Sequence, residues 1–250
     1  MDFSKIKIHA SSLGALFTEP KLKSDKDAGN LSATAKTSLI KIYAKLYWGR
    51  ERKLETKQMA KGTQQEHIGI KLLSDVHGIE YAKNTHTLEN DWIIGTPDII
   101  HVPTLTIIDT KLSWDADTFL PNLSDKIDNM YYIQLQGYLY LSGMDYGKVS
   151  YCLVDATQKQ ILDEQKKLFY AMDVVTEESP EYLKACAEVE RNMTYNDIPK
   201  TERIIDQCAN RDEEIIKQIP IKVAKAREFL NDFHQKHISR NKASEYLIKV

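Results

Sequence analysis

GTPDIIHVPTLTIIDTK, residues Gly95–Lys111, decides the fold. Two apolar, strand-like runs flank Pro103-Thr104, a dipeptide suited to a tight turn. A hairpin centred there sets Asp98 opposite Asp109 on one face, with Cβ atoms roughly 4.5–5.5 Å apart. Lys111 stands two residues beyond Asp109 and emerges on that same face. A slip of one residue would turn one of the aspartates away. Like charges directly opposite destabilise a hairpin, so something must compensate. A hard divalent cation does so, because Mg²⁺ and Mn²⁺ prefer carboxylate and carbonyl oxygens. An ammonium beside a metal-bound carboxylate pair can stabilise charge building on a phosphate or orient an attacking water. The competing account is a surface hairpin with two solvated aspartates. The isoleucines adjoining both aspartates argue against it.

Working outward, Ser124 opens a predicted helix that runs to about Leu141 and ends at Gly143. Ile127, Met130, Tyr131, Gln134, Tyr138 and Leu141 recur on it at spacings of three and four. Gln134 and Tyr138 therefore share the inward face. A glutamine on an apolar face needs hydrogen-bond partners. Upstream, Gly62–Gly78 has helical periodicity and a glycine stop. It places Glu66 among Ile68, Ile70 and Leu73, where it could ligate metal directly or through water.

Further strands are predicted at Ile79–Asn84, Lys148–Asp155 and Thr201–Cys208, with a weaker one at Lys167–Val175. Short helical segments are expected at Ser11–Phe17 and between residues 177 and 193. After Asn210 an amphipathic helix buries Ile215, Ile216, Ile219, Val223, Ala226 and Leu230, and Pro220 is expected to kink or restart it. This order predicts an α/β fold with a central mixed β-sheet flanked by helices.

The motifs then resemble a known superfamily. Pro97-Asp98 followed by Asp109-Thr110-Lys111 resembles the signature of PD-(D/E)XK nucleases. Gly95-Thr96-Pro97-Asp98 resembles the G-x-x-D form of RecB-like domains, and Gln134–Tyr138 resembles their Q-x-x-x-Y motif. Gly62–Glu66 looks like the helix bearing an additional acidic residue. The likeness is closest to viral recombination exonucleases of the lambda-exonuclease or YqaJ type. It implies a restriction-endonuclease-like core and Mg²⁺- or Mn²⁺-dependent DNA cleavage. Asp98, Asp109, the backbone carbonyl of Thr110 and Glu66 would hold metal. Lys111 would position or activate water. Gln134 would orient the site, and Tyr138 would contact DNA. A restriction-like or structure-specific endonuclease, and a non-catalytic DNA-binding protein of the same fold, remain as alternatives. The second predicts loss of at least one site residue, whereas Asp98, Asp109 and Lys111 are all present.

Composition sets the frame. The 250 residues suit one domain: a nuclease core at about 58–175, a basic helical lead-in at 1–57 and a helical extension at 176–250. A net charge of -2 argues against a protein that only coats nucleic acid, yet suits an enzyme whose acidic site offsets a basic groove. Local charge matters more. Lys36–Lys61 is strongly basic, and Arg50, Arg52, Lys53 and Lys57 are the candidate phosphate contacts, with Tyr47 or Trp48 able to stack on an unpaired base. The expected partner is DNA, as a duplex end or single strand, with a single-strand annealing or binding protein and a homo-oligomer as further expectations. Cys152, Cys186 and Cys208 are too few and too scattered for an iron–sulfur or zinc site. The opening residues lack the apolar stretch of a signal peptide and no run of eighteen apolar residues occurs. A cytoplasmic location, in a bacterium or a virus-infected host cell, is expected, with no membrane contact.

Overall fold

The computed structural model describes residues 1–51, 56–124 and 126–248, with side chains through Arg240. The elements in chain order are β1 (Ile8–His9), α1 (Leu13–Leu16), α2 (Lys23–Asp27), α3 (Ala33–Trp48), α4 (Lys57–His77), β2 (Leu88–Glu89), β3 (Ile93–Gly95), β4 (Ile99–His101), β5 (Thr106–Leu112), α5 (Ala116–Phe119), α6 (Asn129–Ser142), β6 (Tyr146–Cys152), α7 (Gln158–Ala171), α8 (Pro180–Met193), β7 (Ile204–Asn210) and α9 (Glu213–Ile248).

The described strands form the expected central mixed sheet and a second, smaller one. The smaller has the order β1-β3-β2, and the larger is mixed, β4-β5-β6-β7. Pro97 stands between β3 and β4. It has no N–H to give to a ladder, and there the chain leaves one sheet for the other. In the hairpin Ile99 pairs with Ile108, Ile100 with Ile107 and His101 with Thr106. This is the register expected from a turn at Pro103-Thr104. The turn itself is a 3-10 segment, Val102–Thr104, closed by Leu105 in the left-handed region at φ 50°. His101 serves the turn, its Nδ1 lying 2.6 Å from Thr104 Oγ1.

The larger sheet is covered on both faces, which explains why β5 reads as an almost continuous apolar run. Alternation sends Ile107 toward Leu135 and Leu139 of α6, and Ile108 toward Leu73 of α4. Thus α6 lies on one face and α4 on the other. On its far side α6 meets a second core in which Ile133 packs with Leu13, Leu16, Ile93, Ile219 and Val223. The α9 face predicted from sequence is buried at Ile216, Ile219, Val223, Ala226 and Leu230. Among the described residues no helix is long and apolar enough to cross a membrane, and the three cysteines are free thiols.

Four local expectations are corrected. Ile79–Asn84 is not a strand: Tyr81 N–H donates to Ser74 Oγ, and the Asn84 side chain donates to the carbonyls of His86 and Pro97. The Asn84 N–H donates to the Asp98 carbonyl at 2.7 Å, and these isolated bonds stand where a ladder was expected. Lys167–Val175 is helical up to Ala171, because Thr157 and Gln160 form a capping box and Phe169 packs edge-on to Tyr182 of α8. The helix expected from Ser124 begins at Asn129, where Asp128 caps it; Pro121 and a 3-10 turn occupy the preceding residues, and Ile127 falls outside the helix. Pro220 does not restart the helix, since it lies inside α9, which continues through it.

Gly95 shows why its position excludes a side chain. A methyl there would stand 2.7 Å from the Tyr138 ring and 3.0 Å from Ala10 Cβ. Gly95→Ala should cost about 1–3 kcal/mol through overpacking, measured by urea denaturation. Gly62→Ala, where nothing lies within 4 Å, should not destabilise the helix.

Candidate active site

Four elements meet at one cavity of about 460 Å³. Strand β5 supplies Asp109 and Lys111, and the residue just before β4 supplies Asp98. Helix α4 adds Glu66, and α6 adds Tyr131, Gln134 and Tyr138. The continuation of the hairpin register brings the two aspartates together. Asp98 Oδ2 accepts hydrogen bonds from the Thr110 backbone N–H at 2.6 Å and the Thr110 hydroxyl at 2.7 Å. Those two donors fix the Asp98 carboxylate to β5. Asp109 is 2% exposed, so its charge depends on protein partners. Gln134 Nε2 donates to Asp109 Oδ1 at 3.0 Å and to the Tyr138 hydroxyl at 3.1 Å. Lys111 Nζ forms an ion pair with Asp109 Oδ2 at 2.7 Å, and that oxygen otherwise has no partner.

The electrostatics follow from burial and crowding. Burial, with the Asp109 charge second, pushes the Asp98 carboxyl up to about 6, against the pull of the Thr110 hydrogen bonds. Burial also raises Asp109, and Lys111 opposes that rise. For Lys111 burial presses downward, but Asp109 and Asp98 together outweigh it, so its ammonium is held above the ordinary lysine range. Its Nζ lies 4.6 Å from the centroid of the Tyr131 ring, a cation–π contact that adds to its ion pair with Asp109. Tyr138 is raised by burial and by the Asp109 charge, and stays neutral.

Glu66 stands on the wall of the cavity. Its Oε2 pairs with Lys83 at 2.7 Å, while Oε1 is buried and without a partner. No three of His, Cys, Asp and Glu among the described residues gather closely enough to hold a metal by themselves. The donor set nevertheless fits a hard cation. Mg²⁺ keeps several waters and takes one or two carboxylates. Here two crowded carboxylates and one orphaned carboxylate oxygen border the same space.

The sequence matches no family model and no curated protein. Solved structures do match. A phage-related exonuclease from Haemophilus somnus 129PT is 26% identical, with a TM-score of 0.72 over 93% of this chain and 97% of that chain. An alkaline exonuclease from Laribacter hongkongensis, LHK-Exo, is 13% identical, with a TM-score of 0.62 over 95% and 94%. Its complex with dAMP gives a TM-score of 0.60 over the same shares. The chain has the phage-exonuclease fold.

Within that fold Glu66, Asp98, Asp109, Thr110, Lys111, Gln134 and Tyr138 line one cavity, as their motifs implied. The basic lead-in is more dispersed. Arg50 is exposed just beyond the helix stop at Gly49. Arg52 and Lys53 lie outside the described residues. Lys57 is paired with Glu164 of α7. Tyr47 stacks on Tyr43, with ring centroids 5.2 Å apart, and Trp48 meets the His237 ring edge-on at 5.5 Å, while both remain partly open to solvent. Lys61, read from sequence as part of a basic surface, is fully buried. Its Nζ donates to the carbonyls of Trp114 and Val154 at 3.0 and 2.8 Å, and burial lowers its ammonium to about 8.

Sequence reasoning missed three contributors: the Thr110 hydroxyl, Lys83, and Tyr131 as the platform for Lys111. Tyr131 was legible at helical spacing three before Gln134. Lys83 was not, because no local pattern links it to Glu66.

The Asp98 shift has a stability consequence. The folded chain keeps this proton to about pH 6, while an ordinary aspartate releases it near 3.8. Between these values native stability falls as pH rises, and above them the full penalty persists. Asp98→Asn removes the charge and leaves an oxygen for Thr110. In EDTA at pH 7.5 it should raise Tm by at least about 2 °C, with the gain shrinking toward pH 4. Thermal melts across pH check this, and a lower Tm at pH 7.5 would refute it.

Proposed function

We propose that this chain is a DNA exonuclease that hydrolyses phosphodiester bonds with Mg²⁺ or Mn²⁺ held by Asp98 and Asp109. The observation behind it is the convergence of Asp98, Asp109, Lys111 and Gln134 on one cavity, within a fold shared with solved exonucleases. The backbone carbonyl of Thr110 and, through water, Glu66 would complete the donor set. When bound, such a cation acidifies a water and neutralises charge on the scissile phosphate.

The protein's own groups do the positioning. Thr110 pins Asp98 by two hydrogen bonds, and Gln134 fixes the orientation of Asp109. Lys111 offers an ammonium that stays charged at neutral pH, held between Asp109 and the Tyr131 ring. It can donate to a phosphate oxygen or hold the attacking water in line. Donors fixed in a dry site before the reaction need no reorganisation during it. Tyr138 carries a neutral hydroxyl beside Gln134, available to a phosphate of the bound strand. Arg50, with Arg52 and Lys53, would add phosphate contacts whose affinity falls with salt.

The test uses end-labelled linear duplex and a closed circle of the same sequence, with Mg²⁺, with Mn²⁺ and in EDTA. Degradation of the linear DNA alone, and only with metal, is expected. Asp109→Ala and Lys111→Ala should each lower the rate by a factor on the order of 10²–10³ or more. Cutting of the circle would move the assignment to an endonuclease. Undiminished activity in EDTA would refute the metal mechanism.

A further inference from the structure

Helix α4 borders two cavities. Glu66, Gly62 and Thr63 face the first. Gln65, Ile68 and Leu72 line a second, of about 420 Å³, together with Val154 and Ala156 beyond β6 and Arg203 before β7. Ile68 follows Glu66 by two positions, roughly 200° around the helix, so the second cavity opens on the other side of α4.

Arg203 is the unusual member. It is only 9% exposed, and a cation so buried is ordinarily paired and hydrogen-bonded. Among the described residues its one ionic neighbour is Asp155 Oδ1 at 3.9 Å, beyond hydrogen-bond reach. That oxygen already accepts the Tyr195 N–H at 2.7 Å. The Arg203 Nε is sealed and has no partner. Among the described residues the guanidinium donates no hydrogen bond. Nearby Lys200 is bound to Asp75 at 2.7 Å, and Lys71 to the same carboxylate at 3.6 Å. The lining thus sets three cations, Lys71, Lys200 and Arg203, against two carboxylates, Asp75 and Asp155. The lining carries one net positive charge, and Arg203 keeps donors that neither carboxylate takes up.

A guanidinium presents a planar fork that matches a phosphate by paired hydrogen bonds. Ile68, Leu72, Val154 and Ala156 give the lining an apolar part beside the polar Gln65, Thr157 and Asn196, and the volume is that of a small-ligand site. We infer that this cavity binds a nucleoside 5′-monophosphate, with the phosphate on Arg203 and the base against the apolar wall. The choice of a nucleotide rests on the proposed exonuclease reaction, which releases such molecules when water displaces the 3′ oxygen from phosphorus; the anion site itself does not.

Calorimetric titration of the full chain in EDTA tests it, with dAMP and with inorganic phosphate. One site is expected for dAMP, bound more tightly than phosphate. Arg203→Lys keeps the charge but loses the fork, and should weaken binding about tenfold or more. Asn196→Asp, at the exposed rim, adds a negative charge without disturbing the core and should also weaken it. Lys111→Ala should leave it unchanged. Absence of binding overturns the inference, as does binding indifferent to both Arg203→Lys and Asn196→Asp. Loss of binding in Lys111→Ala would assign the ligand to the carboxylate cavity instead. Equal affinity for dAMP and phosphate removes the nucleotide assignment. Parallel cleavage assays separate the two proposals: dAMP binding at Arg203 without DNA cleavage defeats only the proposed function, and cleavage without binding defeats only this site.

Discussion

The pairing of β4 with β5 forces two carboxylates together, and the site is organised around that repulsion. Backbone register puts Asp109 where burial already disfavours its charge, and then sets Asp98 opposite it. Each neighbouring group offsets part of this conflict. Thr110 binds Asp98 through both backbone and hydroxyl, Gln134 binds one oxygen of Asp109, and Lys111 binds the other. The offset is incomplete, since the Asp98 carboxyl is still raised. A folded chain that retains such frustration at one point is consistent with a site shaped for a bound cation rather than for stability.

The hairpin was the most legible part of the chain because its signals are local. A turn dipeptide, period-two alternation and a fixed offset place Asp98, Asp109 and Lys111 without knowledge of distant residues. Gln134 and Tyr138 were legible for the same reason, being one helical turn apart. Where the sequence misled, tertiary partners decided. Ile79–Asn84 has strand-like composition, yet Ser74 takes the Tyr81 N–H and the Asp98 carbonyl takes the Asn84 N–H in place of a regular ladder. KLFYAMDVV has apolar residues that serve a helix pair, and a short apolar run does not reveal its own period. Lys61 looked like a surface cation in a basic stretch. Only the fold shows the Trp114 and Val154 carbonyls that receive it.

The division into two sheets was also hidden, although its cause is visible. Gly95 and Pro97 are three residues from Asp98 or fewer, and they do different things. Gly95 admits the Tyr138 ring against the backbone. Pro97 withholds a ladder donor at the seam. The G-x-x-D pattern therefore encodes a close contact, a break and a carboxylate in four consecutive residues, and the reasons for the first two become apparent only in three dimensions.

Strand β5 has a neighbour on both edges and a helix over both faces. Its amides therefore belong to the part of the molecule that opens last. Asp109 and Lys111 are borne by that strand rather than by a loop. Fraying of α7 or α8, which supply no residue to this cavity, would leave the two side chains in place, whereas loss of α6 would remove Gln134 and Tyr131 from them, so the chemistry should fail together with the packing of α6 on the sheet.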